Sequence, residues 1–173
     1  MAEYLIVDGY NIINSWPELI DLSNVSLEAA RDKLIEIMSN YQGYTGIRVI
    51  IVFDAHYVKG SVEKHIYLNG MEVVYTKEGE SADHYIEKLV HRISSNHTIR
   101  VATSDWIEQQ VVLAGGGVRV SALELLKLVE NTNRKINRDI KNNELKNTTT
   151  LTDKLDPCVY EKLEKIRRNA NNA

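Results

Sequence analysis

The sequence predicts an α/β protein, a Rossmann-like α/β/α sandwich around a mostly parallel sheet with a long helical extension at the C-terminal end. Three observations lead there. Short apolar runs rich in β-branched residues alternate with stretches of helical period, which implies crossover connections and hence parallel strands. The 173 residues suffice for one domain with a real core, and the single cysteine, Cys158, excludes an internal disulfide. Three of the strand-like runs, EYLIVD, RVIIVFD and IRVATSD, end in a carboxylate.

Taken in order, YLIVD (4–8) is a short buried strand. Residues 26–42 place Leu27, Ala30, Leu34, Ile37, Met38 and Tyr41 at spacings of three and four, the stripe of an amphipathic helix. IRVIIVFD (47–54) is apolar nearly throughout, as a strand covered on both faces must be. A loop-like stretch 56–70 follows, then the strand MEVVYT (71–76) and a helix from about Ser81 to Ser94. TIRVAT (98–103) reads as a strand, 105–113 as a helix, and VRVS after the glycines 115–117 as a short edge strand. A long helix starts at Ser121, where Ser121 and Glu124 form a capping-box pattern, with Ala122, Leu125, Leu126, Val129, Ile136 and Ile140 as its stripe. Residues 142–156 are polar, Asn/Thr-rich and aperiodic. This divides the chain into a domain over 1–141 and a tail over 142–173, made of a linker and a short basic helix.

Charge is distributed unevenly. Residues 1–126 hold 10 Lys and Arg against 17 Asp and Glu, a net −7, whereas residues 127–173 hold 11 against 7, a net +4. An acidic body with a basic tail fits a metal-dependent enzyme with a polyanionic partner, and equally a solvated charged helix. No signal-peptide pattern opens the sequence and no apolar run reaches the roughly eighteen residues of a membrane span. The expectation is a cytoplasmic protein without a membrane partner.

In a parallel sheet the strand C-termini lie along one edge, so Asp8, Asp54 and Asp105 converge there although far apart in sequence. A fourth carboxylate, Asp83, lies in the first turn of its helix, preceded by Glu80, which fits a ligand or a structural cap. Clustered carboxylates repel one another unless protonated or bridged by a cation, and oxygen donors without a Cys or His cluster select Mg²⁺ or Mn²⁺ over zinc. Taken singly, Asp8 before Gly9 also fits a turn, Asp105 with Glu108 a helix cap, and Asp83 a dipole-complementing first-turn residue. Asn11 would orient substrate or act as a neutral ligand, or cap the next segment. Neither a G-x-S-x-G elbow nor a Walker loop is present, and DGYN lacks the second aspartate of a D-x-D phosphatase.

Read together and in order, LIVDGYNII, VIIVFDAH, TKEGESADHYIEKL and VATSDWIEQ resemble the motifs of the NYN branch of the PIN-like nucleases, specifically the bacterial YacP-like proteins, over about residues 3–140. The resemblance implies a metal-dependent endoribonuclease directed at single-stranded RNA, associated with the ribosome and acting on translated messenger RNA. Carried over by motif, Asp8, Asp83 and Asp105 are the catalytic and metal-binding positions, with Asn11, Asp54 and Glu80 in support. Because an acidic pocket repels phosphate, RNA and ribosome contacts are expected from Tyr57, Lys59 and Lys64 in the 56–70 segment and from Arg134, Lys135, Arg138 and Lys141 on the long helix. Competing readings are a non-catalytic ribosome- or RNA-binding module of the same fold and a small-molecule metal-dependent phosphatase.

Overall fold

The computed structural model describes residues 2–55, 60–105, 110, 115–147, the last three of these as backbone only, and 161. Strand β1 (Glu3–Asp8) runs directly into the short helix α1 (Gly9–Ile13), and then come α2 (Pro17–Val25), α3 (Leu27–Thr45) and β2 (Arg48–Phe53). A hairpin of β3 (Lys64–Leu68) and β4 (Met71–Tyr75) precedes α4 (Ala82–Ile93), β5 (Thr98–Ala102), β6 (Val118–Val120) and α5 (Ala122–Asn147).

The six strands form one sheet in the order β3-β4-β2-β1-β5-β6. All neighbours are parallel except β3, which pairs antiparallel with β4 at the edge. Strand β1 is central: Val7 pairs with Ile51 of β2 on one side and Ala102 of β5 on the other. The chain leaves β1 toward β2 but leaves β5 toward β6, so the topological switch point lies beyond the carboxyl ends of β1 and β5. Ligands of open parallel sheets bind at such a point.

Alternation of side chains along β1 and β2 divides the core between the two sheet faces. Leu5, Val7, Ile51 and Phe53 pack with Ile12, Leu19, Leu34 and Met38 of α1–α3 and with Ala122, Leu125 and Val129 of α5. Ile6, Ile50 and Val52 pack instead with Ile86, Leu89 and Val90 of α4. Trp16 locks the first layer, its indole N–H donating to the Ala122 carbonyl at 2.8 Å.

Helix ends obey local chemistry. Ser26 and Ser81 cap α3 and α4 through their hydroxyls, and α3 stops at Gly46 in the left-handed region (φ 74°). The expected box at α5 forms: Ser121 N–H donates to Glu124 Oε2 at 2.7 Å while Glu124 N–H donates to Ser121 Oγ at 3.2 Å.

Three features depart from the sequence reading. Helices α1 and α2 occupy 9–13 and 17–25, where no element was expected, because one turn and a half around Ile12 and Ile13 is too short to display a period. Part of the loop-like 56–70 stretch is strand β3. Helix α5 continues to Asn147, past the expected linker start at 142. The expected 105–113 helix and the terminal basic helix fall largely outside the described residues.

By compactness the chain divides into a unit over 1–133, which holds the sheet, and one over 134–173, into which α5 runs.

Candidate active site

Asp8 ends β1 and begins α1. Its carboxylate accepts the Asn11 backbone N–H at 3.2 Å, so it caps the helix that it precedes. The turn is this tight because residue 9 is glycine: a Cβ there would lie 2.3 Å from a ring carbon of Phe53, which is fully buried at the end of β2. Phe53 therefore packs against the backbone beside Asp8. The turn-and-cap reading of Asp8 is met by this geometry.

Asn11 carries the geometry across the switch point. Its side-chain oxygen accepts the backbone N–H of Ser104 at 2.7 Å, fixing the loop after β5 against α1. The Ser104 hydroxyl accepts the Ala122 N–H at 3.4 Å, and Asp105 N–H donates to the Thr103 hydroxyl at 3.1 Å. On the other flank, buried Thr76 holds the start of the loop after β2: its hydroxyl accepts the Ala55 N–H at 2.9 Å and its own N–H donates to the Phe53 carbonyl at 3.1 Å. That positions Asp54. Asp83 stands in the first turn of α4 beside the Ser81 cap.

Neighbouring carboxylates act on Asp8 and Asp83. Asp8 is 8 % exposed and its pKa rises from 3.8 to about 6. Burial is the main cause, the Asn11 hydrogen bond opposes it, and repulsion from Asp83, Asp54 and Asp105 adds to it. Asp83 is exposed at the surface, yet its carboxyl is also pushed up, first by partial loss of solvent around it and then by Asp105 and Asp54. Among the described residues no three Asp, Glu, His or Cys side chains stand close enough to form a ready metal cage. The donor chemistry nevertheless suits a hard divalent cation, because it is all oxygen and its negative charge is held near buried Asp8.

The remaining expected residues are spread more widely. Glu80 is buried and ion-paired, with Lys88 Nζ 2.7 Å from its Oε1. Lys64 is exposed at the start of edge strand β3, while Tyr57 and Lys59 lie outside the described residues. Arg134, Lys135, Arg138 and Lys141 are exposed on α5 in the second unit. Sequence reasoning missed Ser104 and Thr76, which position the loops through one N–H and one hydroxyl. Their only sequence signal is a small polar residue next to a strand end.

The mostly parallel α/β sheet and a domain match place the chain in the nuclease-like, RNA-related class of NYN domains. The YacP-like NYN domain profile matches residues 5–168, and the chain belongs to that family. It is 51 % identical over 140 residues to the uncharacterized protein YacP of Bacillus subtilis (strain 168), covering 80 % of this chain and 82 % of that one. A crystal structure of Rae1 (YacP) from Bacillus subtilis superposes with a TM-score of 0.70 at 43 % identity, over 99 % of this chain and 98 % of that one. A point mutant of the same protein gives 0.71 at 42 % identity, over 97 % of each chain. Among the described residues no helix is long and apolar enough to cross a membrane.

Proposed function

We propose that the protein is a metal-dependent endoribonuclease that hydrolyses phosphodiester bonds of single-stranded RNA, with messenger RNA on the ribosome as its substrate in a cytoplasmic setting. The observation that carries this reading is the gathering of Asp54, Asp83 and Asp105 around buried Asp8, whose pKa rises to about 6 chiefly through burial and further through repulsion from the other three.

Asp8, Asp83 and Asp105 would hold one or two Mg²⁺ or Mn²⁺ ions, with Asp54 in support. When bound, the cation supplies an activated water and neutralises charge on the phosphate oxygens. Asp8 is held in register by the Asn11 N–H, and the Asn11 side chain fixes the Ser104–Asp105 loop beside it. Gly9 lets the backbone approach the Phe53 ring, so the Asp8 carboxylate lies at the base of the site, at the apolar boundary of the core. Exposed Asp83 and Asp105 form the solvent side, where a phosphodiester could enter.

An acidic edge repels RNA. The basic face of α5 and the 56–70 segment would therefore supply the attraction, with Arg134, Arg138 and Lys141 recurring at helical spacing on α5.

The test is incubation of the purified full chain with single-stranded RNA in Mg²⁺, Mn²⁺ or EDTA. Cleavage that needs the cation and is lost in Asp8→Asn supports the enzyme. RNA or ribosome binding that is unchanged in Asp8→Asn, with no cleavage by the parent, would instead make the protein a binding module.

A further inference from the structure

A cavity of about 460 Å³ opens along α4 beside the β3–β4 hairpin, on the same helix that carries Asp83. Its volume falls within the roughly 300–1,000 Å³ of small-ligand sites. Its lining is mostly ionic: Lys77, Glu80, Lys88 and Arg92, with His65 and Glu63 on the hairpin side and the Tyr85 ring among them.

Most of these charges are accounted for. His65 bridges two glutamates, with Nε2 2.7 Å from Glu63 and Nδ1 2.6 Å from Glu72. Glu80 Oε1 is taken by Lys88 at 2.7 Å. Glu80 Oε2 is different: it is buried and has no hydrogen-bond partner among the described residues, and the residue that carries it lines the cavity. A buried carboxylate oxygen left without a donor is costly, and a donor from water or from a ligand relieves that cost. Lys88 is the movable member, with 59 % of its side chain exposed on a flexible stem.

We propose that this cavity is a subsite for one unpaired nucleotide of the RNA strand that reaches the Asp83 edge; it rests on the nuclease reading above. Once Lys88 swings off Oε1, the Glu80 carboxylate accepts a base N–H, and Lys77, Arg92 and the displaced Lys88 take the flanking phosphate. A base with an attached phosphate matches both halves of the lining at once. A cationic peptide would satisfy Glu80 but meet three like charges. The position agrees: Lys77 follows β4 at the sheet edge where Asp83 stands, and Glu80 precedes Asp83 by three residues.

The test uses the full chain and a fluorescent five-nucleotide single-stranded RNA in EDTA, read by anisotropy across a salt series. Lys77→Gln/Arg92→Gln is compared with Lys33→Gln/Arg48→Gln, which removes equal charge elsewhere. The first pair should weaken binding and lower the salt slope by about 0.7 for each phosphate no longer neutralised, and the control pair should bind as the parent does. In ¹⁵N-labelled protein, the RNA should shift the amides of residues 77–92.

Equal binding by both double variants, or shifts confined to other elements, would overturn the subsite. Cleavage of RNA by the parent in Mg²⁺ is measured alongside. Intact cleavage with no cavity response removes the subsite and leaves the nuclease. A cavity response without cleavage keeps the subsite and removes the nuclease.

Discussion

The side-chain oxygen of Asn11 accepts the backbone N–H of Ser104 at 2.7 Å, joining the turn after β1 to the loop after β5. One neutral hydrogen bond therefore holds the Asp8 and Asp105 segments in register. Asn11→Ala should cost about 1 kcal/mol in urea unfolding, as for a single hydrogen bond. Its effect on RNA cleavage should be larger, up to about a hundredfold, because displacement of a positioned group acts on rate rather than stability. Cleavage that falls only in proportion to the folded fraction would show that the contact is purely structural.

Asp8 provides a pH signature. Its carboxyl ionises at about 6 in the folded chain against 3.8 normally, chiefly through burial. A raised folded pKa gives a contribution to stability that is fully present below 3.8 and lost as pH rises through about 6. At neutral pH the metal-free chain therefore bears a cost of roughly 3 kcal/mol. Asp8→Asn should be the more stable form in EDTA at about pH 7.5, with the gain shrinking toward about pH 4. Mg²⁺ should narrow the gap by stabilising the parent alone. Thermal melts at the two pH values decide this, and an equal gain at both would contradict it.

Gly9 is fixed by space rather than by backbone angle. A methyl group there would meet the buried Phe53 ring at 2.3 Å, so Gly9→Ala should destabilise by about 1 to 3 kcal/mol, as for an overpacked core. Phe53→Leu on that background should recover part of the loss. Full additivity in a double-mutant cycle would show that the two residues do not meet.

The exposed cations of α5 lead to a separate expectation. Replacing Arg134, Lys135, Arg138 and Lys141 with glutamine should weaken co-sedimentation with ribosomes and flatten its salt dependence. Unchanged sedimentation at every salt concentration would make this face a solvated surface.

What could be read from the sequence was what long-range order makes simple. Apolar runs ending at Asp8 and Asp54 become neighbouring parallel strands, and parallel strands place their ends together. The edge hairpin was missed because KHIYL is exposed on both faces and shows little alternation. Its signal lay in Asn69-Gly70, where both residues take positive φ (51° and 79°), the chemistry of a tight two-residue hairpin turn. Helix α2 was marked by Pro17 at its first turn, and α1 by Asp8 itself, whose capping role is local and whose acidic environment is not. The Ser104 and Thr76 contacts were hidden for another reason. They are hydrogen bonds between residues 93 and 21 apart, which no local pattern encodes.

The central claim is that the carboxylate edge cuts RNA, and Asp83→Asn tests it most directly. Exposed Asp83 in the first turn of α4 is worth only about 0.3 to 1 kcal/mol to its helix, so the variant should melt close to the parent. Both proteins are incubated with translating ribosomes and a reporter message, in Mg²⁺ or EDTA, and new 5′ ends are mapped. The account predicts discrete new ends with the parent in Mg²⁺, none in EDTA and none with Asp83→Asn. The same ends from a normally folded Asp83→Asn protein, or ends that persist in EDTA, would contradict it.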